Sequence, residues 1–297
     1  MVIMQNVSLT KCAQLVLGEW LGDLARYNDG VVSAKNTKRV EAIHQARVTS
    51  RRLRTGLSVF KHVLRKNLVM PKDALKKWRK SIRALAKELS NARDLDVQID
   101  FLSDLRLGMK PLKEKAGISR MITVLKKARG QIQRNARDAA RALNQKKTLN
   151  EIQSVLGQMR VTSTADSTME CRKHARTTVL SKLHELLGYE KYAMMPSMVA
   201  ELHQMRIAAK RLRYTLECFE PLLGNEGSVF IKKVRKLQTA LGRVHDFDVW
   251  LGQLPLAEKY LMEKYSMLRS DSYREFIELW RKLKRERTCQ RLTKILS

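Results

Sequence analysis

Glycine, proline and long apolar runs are scarce in this sequence. Its 297 residues include only 13 glycines and 5 prolines, far below the share found in loop-rich or low-complexity chains. No apolar run approaches the ~20 residues that a membrane-spanning helix needs. The first ten residues also lack the basic, apolar and small-residue regions of a secretory signal. The sequence therefore predicts a regularly folded chain with no membrane insertion and no signal peptide.

Cysteine and histidine are equally sparse, with 4 and 6 residues. The cysteines are far apart and form no CxxC pair: they are Cys12, Cys171, Cys218 and Cys289. We therefore expect neither a zinc site nor a disulfide framework. Reduced thiols that fill small apolar gaps are typical of a cytoplasmic protein. These observations predict a cytoplasmic location and no metal or cofactor.

Acidic residues are outnumbered two to one by basic ones. The 59 Lys and Arg residues against 29 Asp and Glu give a net charge of +30. Hydrophobic residues make up 44% of the chain, which excludes intrinsic disorder despite the charge. Because so large a charge opposes compaction by self-repulsion, it indicates a polyanionic partner.

Hydrophobic periodicity is helical along almost the whole chain, and no sustained alternation of β-branched and polar residues predicts a strand. The predicted helices cover about 9–27, 38–67, 72–106, 117–146, 165–188, 197–221, 227–266 and 270–294. We expect breaks near Asn91 and Gly242 inside two of them. The fold is therefore predicted to be all-α, with a linker at 145–168.

The sequence contains an internal repeat. The segment 44–64, HQARVTSRRLRTGLSVFKHVL, aligns without gaps with 203–223, HQMRIAAKRLRYTLECFEPLL, and nine of the twenty-one positions are identical. A second block follows each copy, at 80–97 and at 232–249. The same order of blocks predicts a duplication within one domain at 9–294. Its N-terminal half would cover 9–147 and its C-terminal half 165–294.

Each repeated helix combines a basic face with an apolar one. At about 100° per residue, Arg47 and Arg51 project to the same side as His44, whereas Leu53 and Leu57 project to the opposite side. The second block and the C-terminal copies repeat this arrangement. Like charges at i, i+4 cost ~0.2–0.5 kcal/mol per pair, and ordinary solvated faces mix both signs. Repeated faces of a single sign therefore indicate a bound anion.

The two copies are not equally charged. Glu217 and Glu220 occupy the positions that Ser58 and Lys61 have in the first copy. The far end of the C-terminal basic face is therefore predicted to be weaker.

These paired motifs resemble the CHAD family, the conserved histidine α-helical domain. The matching segments are the HQxRxxxRRLR-like helices at 44–54 and 203–213, each followed by a segment that ends in (R/H)DxDV. Departures are mild: Ser90 replaces a usual Gly, and Lys210 replaces an Arg. The resemblance covers roughly 9–294. It implies two helical bundles of about four long helices each, related by a pseudo-twofold, with basic motif helices lining a central cleft or channel.

The resemblance also implies binding of inorganic polyphosphate, and the basic faces suit that ligand. Polyphosphate presents many charges but no base or sugar, so its site needs cations on rigid supports. Guanidinium groups at i, i+4 and i+7 form a ladder with a rise of roughly 6 Å per turn. The residues assigned to polyphosphate binding are His44, Arg47, Arg51, Arg52, Arg54, Lys76, Arg79, Lys80, Arg83, Lys87, His203, Arg206, Lys210, Arg211, Arg213, Lys232 and Arg235.

Two residue types of the motifs have alternative roles. Whether His44 and His203 donate to phosphate or bond to a neighbouring helix stays open. The repeated carboxylates could ligate a metal, but two per half amid arginines favour helix N-capping and salt bridges that orient the binding arginines. These structural carboxylates are Asp94, Asp96, Asp246 and Asp248.

Nucleic acid is the first alternative partner, because the same charge would attract it. Aromatic residues make up only 6% of the chain, and Trp78 and Phe60 project to apolar faces, so base stacking is poorly served. No zinc finger, RRM-type motif or helix-turn-helix is recognisable. Incidental, sequence-independent nucleic-acid binding stays open.

A phosphohydrolase that processes polyphosphate, with His44 as phosphoryl acceptor, is a less favoured alternative. Such chemistry needs a general acid or a metal cluster beside the histidine, and the sequence has no P-loop, HExxH, RHG or ExExK pattern. A membrane-surface role is disfavoured because the apolar faces are committed to burial. We therefore expect a non-catalytic polyphosphate-binding protein, in the cytoplasm and at polyphosphate granules.

Overall fold

Helices account for nearly all of the described chain. The computed structural model describes residues 7–34, 36–66, 70–109, 112–161, 165–255, 258–286 and 288–295, and no strand occurs in them. The helices are α1 Leu9–Ser33, α2 Asn36–Val59, α3 Lys61–Lys66, α4 Ala74–Leu107, α5 Leu112–Gln145, α6 Thr148–Gln158, α7 Ala165–Leu187, α8 Glu190–Ala193, α9 Val199–Cys218, α10 Glu220–Gln253, α11 Lys259–Arg285 and α12 Thr288–Ile295. Within these ranges no helix combines the length and the apolar character that a membrane crossing needs. The predicted all-α fold is confirmed.

Two predicted helix breaks are wrong. α4 continues through Asn91 and α10 through Gly242, because a single unfavourable residue inside a helix costs only about 1 kcal/mol and tertiary packing outweighs it. The kink in α10 lies instead at Gly224, whose φ of 59° favours glycine. α10 then ends at Gln253, shortly before Pro255.

α6 lies inside the segment predicted as a linker. Its buried face consists of Leu149, Ile152, Val155 and Leu156, which is the spacing of an amphipathic helix. Lys147, with a left-handed φ of 50°, separates α6 from α5. The Trp78 indole on α4 donates to a Glu151 carboxylate oxygen at 2.7 Å. The linker prediction is therefore wrong at 148–158, because α6 has its own buried face.

The helices form two compact units. The N-terminal unit comprises 13–160, and the C-terminal unit comprises the residues up to Cys12 together with those from Val161 onward. In the N-terminal unit α4 packs against both α2 and α5, and in the C-terminal unit α10 packs against both α9 and α11. A long central helix therefore supports one basic motif helix in each unit.

The apolar faces of the motif helices build the core of each unit. In the N-terminal unit Leu53, Leu57 and Phe60 are fully buried, together with Trp78 from α4. The matching positions of the C-terminal unit are also buried: Leu212, Leu216, Phe219 and Phe230. Burying one such side chain contributes about 1.5–3 kcal/mol. The predicted apolar faces are confirmed, so the basic faces point away from the core of their own unit.

Three of the four cysteines converge in the C-terminal unit, although they are far apart in sequence. Cys12, Cys171 and Cys218 are buried and free. The Cys12 thiol donates to the Cys218 carbonyl at 3.5 Å and also contacts the Cys171 thiol. Hydrogen bonding to Cys171 and burial raise the pKa of Cys12 well above its ordinary value. These thiols fill apolar space, as the sequence predicts, but as a cluster rather than singly.

Candidate anion-binding site

In the N-terminal unit, the basic face of α2 lies against α4. Arg51 Nη2 donates to Ser90 Oγ at 3.1 Å, and Arg47 Nη2 lies 3.8 Å from an Asp94 carboxylate oxygen. The partners' numbers fall along α4 as they rise along α2, so the helices run antiparallel. Ser90, which replaces the usual family glycine, thereby holds the Arg51 side chain in place.

Four arginines of α2 and α4 form a cluster of a single charge sign, which we name the arginine cluster: Arg51, Arg54, Arg79 and Arg83. Burial, followed by the charges of Arg83, Arg79 and Arg51, lowers the pKa of Arg54. In the described part of the chain, Arg54, Arg79 and Arg83 have no carboxylate within ion-pair distance. The repulsion among these guanidinium groups would be relieved by a bound anion.

Exposed lysines extend this basic face along α4. Lys76, Lys80 and Lys87 are all exposed and, within the ranges that the structure covers, form no salt bridge. Arg52, which the helical projection places off the stripe, is half-buried. The structure thus brings most of the predicted N-terminal residues onto the surfaces of two adjoining helices.

His44 is half-buried near two arginines of the motifs. Burial and then the charge of Arg93 lower the pKa of His44; Glu41 opposes them, and Arg47 adds a smaller lowering effect. Its Nδ1 is buried and has no hydrogen-bond partner among the described residues. The imidazole is therefore neutral at pH 7 and keeps an unsatisfied nitrogen, which costs free energy unless another group bonds to it.

In the C-terminal unit, the motif histidine of α9 meets a second histidine from α10. The Nδ1 atoms of His203 and His245 are 3.0 Å apart, and the ring centroids are 4.2 Å apart. Such a hydrogen bond requires one ring nitrogen to donate and the other to accept, so at least one imidazole is neutral. His203 therefore takes the role of a residue bonded to a neighbouring helix, which the sequence left open.

Basic residues surround this histidine pair. Burial, and then the charges of Arg206 and His203, lower the pKa of His245 to about 4. Burial, Arg206 and Lys210 also lower the pKa of His203. A Cβ added at Gly242 would lie 3.7 Å from Arg206 Nε, an ordinary van der Waals contact, so α10 packs beside that arginine at this position.

A buried carboxylate neutralises the far end of the C-terminal basic face. Arg213 Nε lies 3.4 Å from Glu217 Oε1, and Arg235 Nη2 lies 3.7 Å from the same oxygen. The Arg213 guanidinium also lies 4.4 Å from the centroid of the Tyr214 ring. The sequence placed Arg213 on the exposed stripe, but the structure buries it, because Glu217 and Tyr214 give its charge partners inside the unit.

Two further predicted residues differ in their surroundings. Arg211 points to α7, where it pairs with Glu185, and does not join His203 on the α10 side. Lys232 is exposed on α10, as is Arg235 one turn later. The C-terminal face is thus smaller than the sequence indicated.

The repeated carboxylates lie inside helices rather than at their ends. Asp96 accepts two hydrogen bonds from Arg129 of α5, at 2.6 and 3.0 Å, and both side chains are buried. Asp248 accepts one from Arg269 of α11 at 2.5 Å. The prediction of helix N-capping is wrong, because α4 and α10 run continuously through these positions.

The first carboxylate of each motif, Asp94 or Asp246, is less buried or lies in different surroundings from the second. Asp94 is exposed and lies near Arg47, which agrees with the predicted orienting salt bridge. Asp246 is half-buried on α10. In the parts of the chain that the structure describes, no group of three or more His, Cys, Asp or Glu side chains is arranged to hold a metal.

The sequence patterns did not assign several residues that the structure places in or beside the site. Arg93 and His245 stand at the first position of the (R/H)DxDV motif, so the repeat alignment contained a signal for both. Arg129 and Arg269 carry no repeat signal. They tie the central helix of each unit to the helix that follows it.

Comparison with known proteins gives one family. The family model of the CHAD domain matches residues 16–255. Among solved structures, the crystal structure of the CHAD domain from the plant Ricinus communis is similar, with a TM-score of 0.63 and 21% sequence identity, over 96% of this chain and 89% of that chain. The similarity to this solved structure shows a common fold. No curated protein matches the sequence. On the family model, the motifs and the fold, the chain belongs to the CHAD family.

Proposed function

We propose that this protein binds inorganic polyphosphate and does not process it. The observation that carries the proposal is the arginine cluster, in which Arg54, Arg79 and Arg83 have no carboxylate partner in the described chain. Each guanidinium can grip phosphate oxygens bidentately. Membership of the CHAD family supports the same ligand, because the family resemblance implies polyphosphate.

The chemistry of the face favours a polyphosphate over a nucleic acid. Its cations stand on two packed helices, whereas the nearby aromatic side chains of Trp78 and Phe60 are buried in the core. Neither side chain can therefore serve as a stacking platform for bases. Backbone phosphates would still be attracted, so weak sequence-independent binding of nucleic acid belongs to the same proposal.

A binding role without catalysis fits the surroundings of His44. Arginines flank the imidazole, and the nearby Glu41 carboxylate accepts a hydrogen bond from Gln45 at 2.6 Å. A general acid poised to protonate a leaving group is not part of this arrangement. Binding of polyphosphate would place the protein at polyphosphate granules.

The test is the joint replacement of Arg47, Arg51, Arg206 and Lys210 with alanine. Charge-assisted hydrogen bonds contribute about 1.5–3 kcal/mol each, so we expect the affinity for long-chain polyphosphate to fall more than ~100-fold. The slope of log K against log salt should also become shallower by roughly 3. Circular dichroism should show unchanged helicity.

The matched control removes four charges from the exposed face of α5: Arg120, Lys126, Lys127 and Arg134. This variant should keep most of the affinity, because it loses long-range attraction but no direct contact. Equal losses in both quadruple variants would mean that net charge alone determines binding, which would contradict the assignment of the face.

Two further measurements separate the alternatives. In moderate salt, long-chain polyphosphate should displace duplex DNA of equal charge, and a tie or a win for DNA would overturn the ligand class. Incubation with polyphosphate and Mg²⁺ should release no free phosphate. Release that disappears on replacing His44 with alanine would establish the phosphohydrolase instead.

A further inference from the structure

The basic faces of the two units differ at one matched position. In the repeat alignment Ser58 of α2 corresponds to Glu217 of α9. Ser58 is exposed, whereas the Glu217 side chain is only 3% exposed. The difference therefore replaces a small neutral group with a buried negative charge.

The carboxylate of Glu217 serves two arginines at once. Its Oε1 lies 3.4 Å from Arg213 Nε and 3.7 Å from Arg235 Nη2. These arginines correspond in the repeats to Arg54 and Arg83. Each unit thus has the same arginine pair, and in the described part of the chain only the C-terminal pair shares a carboxylate within 4 Å.

The two matching arginine pairs therefore differ in how they would interact with an incoming anion. Burial lowers the pKa of Arg54, and repulsion from Arg83, Arg79 and Arg51 lowers it further. An anion bound there removes that repulsion. At the C-terminal pair an anion would instead lie close to the Glu217 carboxylate, which repels it and already partners both arginines.

We propose that Glu217 makes the two arginine pairs unequal. Short linear oligophosphates then bind at the arginine cluster of the N-terminal unit and not at the matching arginine pair of the C-terminal unit. Glu217 is in this sense a specificity-determining residue, and Ser58 is the position that leaves the N-terminal site open. The inference rests on the proposed polyphosphate binding and adds where a short chain binds.

The test exchanges the two residues, with tripolyphosphate and long-chain polyphosphate as ligands in calorimetric titrations. Ser58→Glu adds a carboxylate beside the arginine cluster and should weaken tripolyphosphate binding roughly tenfold. Ser58→Gln, which has nearly the same size without the charge, should change it less than about twofold. In the wild-type protein one tripolyphosphate should bind per chain.

Glu217→Gln is the reciprocal change. It should add a second, weaker tripolyphosphate site, provided that a thermal melt shows a folded protein. If Glu217→Gln does not fold, the Ser58 variants decide the matter alone. Unchanged tripolyphosphate affinity in Ser58→Glu, or equal losses in Ser58→Glu and Ser58→Gln, would overturn the asymmetry while long-chain binding still supports the proposed function. Absence of binding to either ligand by the wild-type protein would instead overturn the proposed function itself.

Discussion

Replacing His245 with glutamine measures how the paired imidazoles of the C-terminal unit respond to acid. Burial and the charge of Arg206 hold the pKa of His245 at about 4, against an ordinary value of 6.5. Between these values the unfolded chain binds a proton that the folded chain does not. The stability contributed by the neutral imidazole is therefore fully present above pH 6.5 and is lost as the pH falls towards 4.

The size of this effect follows from the two pKa values of His245. At 1.36 kcal/mol per pKa unit, the difference corresponds to roughly 3 kcal/mol below pH 4, of which about 2 kcal/mol is lost between pH 7 and pH 5. Because His245 is partly exposed to solvent, screening reduces the expected loss to about 1–2 kcal/mol. Glutamine cannot take up a proton, and its amide can still bond to His203.

The assay is urea unfolding at pH 7 and at pH 5. The free energy of unfolding should fall less between these two pH values in His245→Gln than in the wild-type protein, by about 1–2 kcal/mol. His62→Gln, at an exposed position of α3, is the control and should leave the acid-induced loss unchanged. Equal losses in wild type and His245→Gln would refute the linkage of this pair to stability.

Two further predictions concern the stability of the core, one through buried ion pairs and one through a close helix contact. Asp96→Asn leaves Arg129 buried without a carboxylate and should lower the free energy of unfolding by about 3–5 kcal/mol. Asp248→Asn should cost less, because Asp248 accepts one hydrogen bond from Arg269 whereas Asp96 accepts two from the more deeply buried Arg129. Urea denaturation showing the reverse order would contradict this. Gly56→Ala places a Cβ 2.6 Å from Leu17 Cδ2 and should cost about 1–3 kcal/mol by overpacking. A melting temperature equal to that of the wild type would show that the Leu17 side chain or α1 can shift to accommodate the added methyl group.

The helices and their faces were predictable because they depend on local spacing. Apolar residues at helical intervals place Leu53 and Leu57 in the core whatever the neighbouring helix is. α6 was missed because it is only 11 residues long. The break expected at Gly242 was wrong because packing beside Arg206, which no local pattern contains, outweighs the weak helix propensity of glycine.

The ion pairs of the repeated carboxylates could not be predicted from the repeat. Asp96 pairs with an arginine 33 residues later, whereas Asp248 pairs with one 21 residues later. The connection from α4 to α5 and the connection from α10 to α11 end at different registers, so the partner arginines, Arg129 and Arg269, do not align. A salt bridge between packed helices depends on that register, which the spacing within either helix does not determine.

Two charge differences between the copies, at positions next to the basic faces, lower the positive charge of the second copy. Where the first copy has Ser58 and Arg93, the second has Glu217 and His245, and the first of these changes adds a negative charge. The second removes a positive one, because a pKa of about 4 leaves His245 neutral at pH 7. A repeat whose two faces contacted the ligand equally would be expected to keep both sets of charges. The second copy gains positive charge elsewhere, at Lys233, Lys236 and Arg243, but Lys233 and Arg243 pair with Glu286 and Glu275. The losses at Glu217 and His245 are what binding centred on the arginine cluster of the N-terminal unit would permit, since the cost of like charges is compensated only where an anion binds.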